Sequence, residues 1–230
     1  MQVKDIFLLV SGELQDLGAE KRWPWELTPG RVSLVDLMNA AVREIALNRP
    51  DATAVTEAIR LEPGGRQIIP NVATHGASRD SLCLLELVQN MGADGETPGE
   101  PVFRVERSAL AAADWTLTTA GDIDEYAYDK TADPNVYLVH PAVAADATIY
   151  VEATYSAEPV TVTGPEDAFP LSATFAGPAR LWMLWEIMSG DNSEANFVKA
   201  QTYLKAFYQA LGVKLKADLF FPVKVAKEGM

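Results

Sequence analysis

Ser33-Leu-Val-Asp-Leu-Met-Asn-Ala-Ala-Val-Arg-Glu-Ile-Ala-Leu-Asn48, followed by Arg49-Pro-Asp51, is the stretch that organises the chain. Ser33 is placed to cap a helix, and Asp36 three residues later completes a capping-box pattern. Leu34, Val35, Met38, Ala41, Val42 and Ile45 then fall on one stripe of a 3.6-residue period, the mark of an amphipathic helix. Pro50 disfavours helical geometry at Arg49, so the helix is predicted to stop there. Just upstream, Arg22-Trp-Pro-Trp-Glu-Leu27 sets two tryptophans on either side of a rigid residue. Trp23 and Trp25 are candidates for fixing the segment that leads into the helix and for an interface.

Outward from this stretch the period changes twice. On the N-terminal side, Phe7, Val10, Leu14 and Leu17 keep helical spacing, which predicts one helix or two short ones over 3–17, weakened at Ser11-Gly12. On the C-terminal side, Thr53 to Leu61 is rich in β-branched and apolar residues. Glu62-Pro-Gly-Gly65 is a turn signal, and Gln67-Ile-Ile-Pro70 reads as the return strand of a hairpin. Leu82 to Val88 reads as a buried strand and Asn90 to Pro101 as an exposed loop. Val102 to Glu106 alternates, and a helical turn follows over 108–113. Further strands are predicted at 125–129, 136–140 and 148–155, with turns at Asp133-Pro-Asn135 and Pro141 to Asp146. In the last strand Ile149, Val151, Ala153 and Tyr155 oppose Tyr150, Glu152 and Thr154.

From Pro170 the helical period returns. Leu181, Trp182, Trp185 and Met188 form a bulky stripe after Gly177-Pro178, and Asp191-Asn-Ser193 makes a corner. Phe197, Ala200, Leu204, Phe207 and Leu211 form a second stripe ending at Gly212, a suitable C-terminal cap. The predicted class is α+β. Helices from both chain ends (1–58 and 166–213) form a bundle, an antiparallel β domain (59–165) is inserted between them, and 214–230 is an extended C-terminal arm.

Composition narrows the function. The 230 residues are 48% hydrophobic and 22% charged, ordinary for a folded domain of this size. No run approaches the roughly 18 apolar residues that span a bilayer. Met1-Gln-Val-Lys-Asp5 carries an acid where a signal peptide keeps a basic region, so synthesis in a cytosol-like compartment is expected. The net charge of −13 argues against a surface that grips nucleic acid. That charge is concentrated: residues 59–165 hold 6 basic and 16 acidic side chains, whereas 214–230 hold four lysines against Asp218 and Glu228.

Motifs for chemistry are missing. The chain has no Gly-x-Gly-x-x-Gly and no Gly-Lys-Ser/Thr loop. Asp122, Asp124 and Asp129 are spaced like part of a calcium loop, but Tyr126 stands at the third ligand position and Ala127 at the place of the glycine. His75, His140 and the single Cys83 do not make a zinc site. Cys83, inside Leu82-Cys-Leu-Leu85, reads as a buried thiol, and a lone cysteine excludes an internal disulfide. No catalytic residue, cofactor or metal is predicted. Trp115, Tyr126, Tyr128, Tyr137, Tyr150 and Tyr155 fit cross-strand packing, the favoured reading, or a sugar-stacking platform. The segment 215–227 alternates apolar and basic residues. Leu219, Phe220, Phe221, Val223, Lys224 and Val225 are candidate interface residues of an arm that docks on another chain.

Taken in order, several stretches resemble the head–tail adaptor (connector) proteins of tailed bacteriophages, over most of the chain. They are Arg22-Trp-Pro-Trp-Glu-Leu27, Leu37-Met-Asn-Ala-Ala-Val-Arg-Glu-Ile45, Arg49-Pro-Asp-Ala52, and Gly64-Gly-Arg-Gln67 with Pro70. Asn90-Met-Gly-Ala-Asp94, the Trp115 region, Tyr126-Ala-Tyr-Asp129, Pro134 with Val139-His-Pro141, and Tyr155-Ser-Ala-Glu-Pro159 follow. Leu37-Met-Asn39 departs from the pattern, since the family often has an aromatic before the asparagine. The resemblance implies a structural virion protein, made in the bacterial host cytoplasm, that forms a ring of usually twelve copies below the portal. Such a ring extends the channel through which DNA passes without sequence-specific binding, and it offers a docking surface to the next tail component. The resemblance implies no catalytic residue and no membrane association. The alternative is a carbohydrate-binding β module of a tail structure.

Overall fold

A computed structural model of the chain describes residues 1–111, 117–190 and 193–212. The capping pattern at Ser33 forms: the Asp36 N–H donates to Ser33 Oγ at 3.2 Å, and the Ser33 N–H donates to Asp36 Oδ2 at 3.0 Å. It opens helix α2 (Leu34–Asn48), which buries the predicted stripe together with Leu37 and Ala46. At Pro50 the helix gives way to a short 3-10 turn (Pro50–Thr53), where the Arg49 guanidinium pairs with the Asp51 carboxylate at 2.6 Å.

The N-terminal prediction of a helix reaching Leu17 is corrected. A single helix α1 (Val3–Glu13) ends where Gln15 turns into the left-handed region at φ 57°, and Leu17 is left 63% exposed. Gly12 sits in the last turn, where its low helix propensity costs little. Near the other end of the chain lie α5 (Ala176–Ser189) and α6 (Glu194–Ala210), with Gly212 in the left-handed conformation just after the second. On α6, Ala200, Leu204, Phe207 and Leu211 are buried as predicted, while Phe197 is 55% exposed. On α5 the buried residues are Pro178, Ala179, Met183, Leu184 and Ile187, not the expected bulky stripe. Leu181, Trp182, Trp185 and Met188 are only half-buried. The helix is apolar on more than one face, and its smaller side chains allow the closer approach. Helix α5 lies against α6, α2 and α1.

The chain divides into two compact units, Met1–Asn48 with Thr161–Met230, and Arg49–Val160. The helices above belong to the first. There Asn39 fixes the returning chain to α2: its Nδ2 donates to Val162 O at 2.9 Å, and its Oδ1 accepts the Val162 N–H at 2.8 Å. One residue of α2 thus serves an extended segment as a partner strand would.

The second unit holds two sheets. One consists of β1 (Ala54–Arg60), β8 (Tyr150–Ala157) and β3 (Ser81–Asn90), antiparallel with β8 in the centre. The other runs β2 (Gly64–Ile68), β7 (Val136–Val143), β6 (Glu125–Tyr128), β4 (Phe103–Arg104), with β5 (Thr118–Thr119) also on β7. β4 pairs with β6 in parallel, as β5 does with β7, so this sheet is mixed where the sequence predicts an antiparallel one. Short helices α3 (Val72–His75) and α4 (Arg107–Ala111) interrupt the strands.

Two further expectations fail in this unit. The predicted hairpin over 53–70 does not form, because β1 pairs with β8 and β2 with β7, in different sheets. The turn between them is closed by a side chain instead of a ladder. Gln67 Nε2 donates to the carbonyls of Glu62 (2.7 Å) and Gly64 (2.9 Å), and its Oε1 accepts the Glu62 N–H at 2.9 Å. These three bonds explain how an amide can sit at 1% exposure. Pro141, expected in a turn, lies within β7. The ladder continues there because the Ala142 N–H donates to Leu117 O, and β5 pairs alongside. The alternation in β8 is as predicted: Val151, Ala153 and Tyr155 are buried and pack with Tyr126, Tyr137, Val139, Leu84 and Leu87.

Candidate functional site

The loop from Asp16 to Val32 is long and lacks a helix, yet it is firmly tied. The Asp16 carboxylate accepts the backbone N–H groups of Arg22 (3.0 Å) and Trp23 (2.9 Å). From the other side, Arg31 Nη2 donates to the carbonyls of Lys21 (2.9 Å) and Arg22 (2.6 Å). Charge-assisted bonds of this kind are about twice as strong as neutral ones. Lys21, Arg22 and Trp23 are therefore gripped through their backbone, which leaves their side chains to point elsewhere. Arg31 is itself held by the bridge Thr28–Arg31, which turns at Gly30 with φ +75°.

The two predicted tryptophans part company here. Trp25 turns inward onto α1. Its ring meets Phe7 edge-on at 5.9 Å, its Nε1 donates to the buried Ser11 Oγ at 2.9 Å, and the Lys21 ammonium covers it at 5.0 Å. Trp25 is a fastening. Trp23 is half-buried with the Arg22 guanidinium 5.9 Å from its ring, and it forms a wall of a cleft of about 520 Å³. That volume falls within the range of about 300–1,000 Å³ in which proteins hold ligands and side chains.

The cleft lies between the end of α1, the tryptophan loop, the end of α5 and the start of α6. Ile187 and Met188 supply apolar surface. The acids of the lining are already engaged: Asp16 in the loop, and Glu13 as acceptor for the Tyr203 hydroxyl at 2.6 Å. Burial, and then the Glu13 bond, push the Tyr203 phenol up to about 12. Among the described residues neither Arg22 nor Lys199 has a carboxylate partner. The cleft therefore offers an aromatic wall, an apolar patch and two available positive charges. A more open groove of about 490 Å³ is lined by Lys21, Pro24 and Trp25, so the tryptophan loop is a ridge that borders two depressions.

The remaining candidates carry no comparable arrangement. Leu219, Phe220, Phe221, Val223, Lys224, Val225 and Trp115 lie outside the described residues. Among the described residues no three His, Cys, Asp or Glu side chains are grouped to hold a metal ion, and no helix is long and apolar enough to cross a membrane. Asp129 uses its carboxylate to accept the N–H groups of Thr131 and Ala132, a turn rather than a cation loop. Tyr126, Tyr128, Tyr137 and Tyr155 are buried and Tyr150 is half-buried, so four of the six aromatics of the stacking platform serve the core, as the cross-strand packing reading expects. Arg31, Asn39, Gln67 and Asn90 were not legible as structural keys. Asn90 bonds through its side chain to Glu100 O, Ile123 O and Ile123 N. Their only sequence signal is a polar residue next to a turn or within an apolar stripe.

A family model described as SU10 adaptor protein matches residues 1–224. Comparison with the curated proteins gives no match.

Proposed function

Because the chain belongs to the SU10 adaptor protein family, we propose that it is a structural virion protein joining the head of a bacteriophage to its tail. In this reading about a dozen copies form a ring below the portal, extend the DNA channel and present an attachment surface to the next tail component. Helices from both chain ends act together as a bundle, with the β domain inserted between them and the C-terminal arm engaging the portal or a neighbouring copy. DNA passes without sequence-specific contact, and the excess of acidic side chains keeps it from adhering. The protein does no chemistry of its own.

The observation that carries this reading at the level of residues is the clamped ridge. Asp16 and Arg31 hold Lys21–Trp23 by the backbone, so Trp23 is presented in a fixed pose beside an open cleft. Pre-organised aromatic anchors are what protein interfaces use for most of their affinity. The test is electron microscopy of the full chain mixed with portal-bearing heads. A ring coaxial with the portal is expected. Heads that remain bare at saturating protein overturn the reading. Removing residues 216–230 is expected to abolish attachment.

A further inference from the structure

We propose that the cleft beside Trp23 is the seat for the Asp218–Val225 segment of a second copy of this chain. The inference rests on the ring reading above and names the surface that receives the arm.

Three observations bring the two together. The first is chemical fit. The cleft offers the Trp23 ring, the apolar Ile187 and Met188, and the cations of Arg22 and Lys199, which have no carboxylate partner among the described residues. The segment reads Asp218-Leu-Phe-Phe-Pro-Val-Lys-Val225, one carboxylate followed at once by three large apolar side chains. The Asp218 carboxylate suits the two cations, and Phe220 and Phe221 suit the indole and the thioether of Met188. Pro222 lowers the number of conformations the free segment surrenders on binding.

The second observation is charge. Outside 213–230 the chain carries 15 basic and 30 acidic side chains, whereas the segment from 213 carries four lysines against two acids. A basic arm is drawn toward an acidic body, and the local cations of the cleft then select its one acid-led stretch.

The third is reach, and it favours the arm of a neighbour. Lys199 stands in the cleft and Gly212 follows the far end of the same helix, so they are about 20 Å apart at 1.5 Å per residue. The six steps from Gly212 to Asp218 span about 20 Å only when fully stretched, at about 3.3–3.6 Å each. A chain's own arm would bring the Asp218 backbone level with Lys199 only when nearly fully stretched. The arm of a neighbour is under no such restriction, and head-to-tail contacts of this kind form rings when their rotation closes.

The test uses the full chain with Phe220→p-benzoylphenylalanine, mixed as ordinary and heavy-isotope copies with portal-bearing heads and irradiated. Cross-links between heavy and ordinary copies that map to Trp23, Ile187 or Met188 are expected. Arg22→Glu is expected to lower their yield about tenfold, and Arg22→Glu with Asp218→Lys to restore it to within about threefold. Arg22 joins the loop clamp through its backbone alone, so an unchanged unfolding midpoint verifies that this variant is folded. Cross-links within one copy only, to the portal only, or elsewhere on the neighbour overturn the proposal. So does a yield indifferent to Arg22→Glu. Micrographs of the same samples separate the two readings. Rings with cross-links elsewhere defeat this contact alone, cleft cross-links without rings defeat the ring reading alone, and the absence of both defeats both.

Discussion

Most tyrosines of the β unit and the tryptophans of the helical unit are treated in opposite ways. In the β unit Tyr126, Tyr137 and Tyr155 are sealed in the core, Tyr137 and Tyr155 at 0% exposure. Their hydroxyls are handled inside the unit where they are handled at all: Tyr155 donates to Glu57 Oε1 at 2.5 Å, and the neighbouring Tyr128 to Pro134 O at 2.8 Å. In the helical unit Trp23, Trp182 and Trp185 are only half-buried, although that unit has ample apolar surface to cover them. Trp182 stacks obliquely on Trp185 and Phe207, at 4.4 and 5.0 Å, and its buried Nε1 has no partner among the described residues. The difference separates aromatics that build a fold from aromatics left available to build an assembly. Under the proposed function, docking falls to the helical unit and scaffolding to the β unit.

The largest effect expected from this contrast is on stability. Tyr155→Ala opens a cavity among Glu57, Ser78 and the β8 core and is expected to cost about 3–5 kcal/mol in urea unfolding. Trp23→Ala is expected to cost under about 1 kcal/mol while removing attachment to portal-bearing heads. Similar costs for the two would break the comparison. Next comes Asn90→Leu, which strands the buried carbonyl and N–H of Ile123 that the amide now serves, and is expected to cost about 3 kcal/mol. The same measurement on Asn39→Leu, which leaves both polar groups of Val162 without their partner, is expected to give about 2 kcal/mol in the other unit.

These asparagines also mark what was legible in the sequence. Helix α2 could be read in full, because its capping residues, apolar stripe and terminating proline are all local signals. The alternation of β8 was legible for the same reason. The hairpin over 53–70 was misread because Pro63-Gly-Gly65 announces a turn without saying which strands it joins. Gln67, the residue that closes the turn, looks like any surface glutamine until its three bonds are seen. The bulky stripe of α5 follows from its helical spacing, whereas closeness of approach favours Ala179 and Met183 for burial. The pair Trp23 and Trp25 was legible as a feature, but their opposite roles were not. What divides them is Ser11, which accepts a bond from one indole, and Asp16, which clamps the backbone of the other. Both lie on the helix and loop before the pair, where no short-range pattern points to them.

A smaller effect sharpens that division. Trp25→Phe keeps most of the ring against Phe7 but leaves Ser11 Oγ, itself buried, without its donor. A loss of about 1–2 kcal/mol in urea unfolding is expected, with attachment to heads retained. Loss of attachment without loss of stability would mean that Trp25, too, faces a partner.

The smallest effect belongs to the β unit and is a matter of pH. His75 is buried at 3% exposure. Its Nδ1 accepts the Asn71 N–H at 3.3 Å, and its Nε2 has no partner among the described residues. Burial lowers its pKa below the ordinary 6.5, opposed in part by the negative charge of Glu62. The unfolded chain therefore takes up this proton at a higher pH than the folded one does. Stability from this residue is fully present above about pH 6.5 and is lost progressively as the pH falls toward the lowered value. Glutamine can still accept the Asn71 bond but does not titrate. His75→Gln is thus expected to match the parent near pH 7.5 and to have the higher unfolding midpoint near pH 5.5. The carboxylates of both proteins titrate alike, so the difference between the two curves reports this side chain. Parallel curves would mean that the imidazole is protonated at no cost, and the β core is then less tightly sealed around α3 than its burial implies.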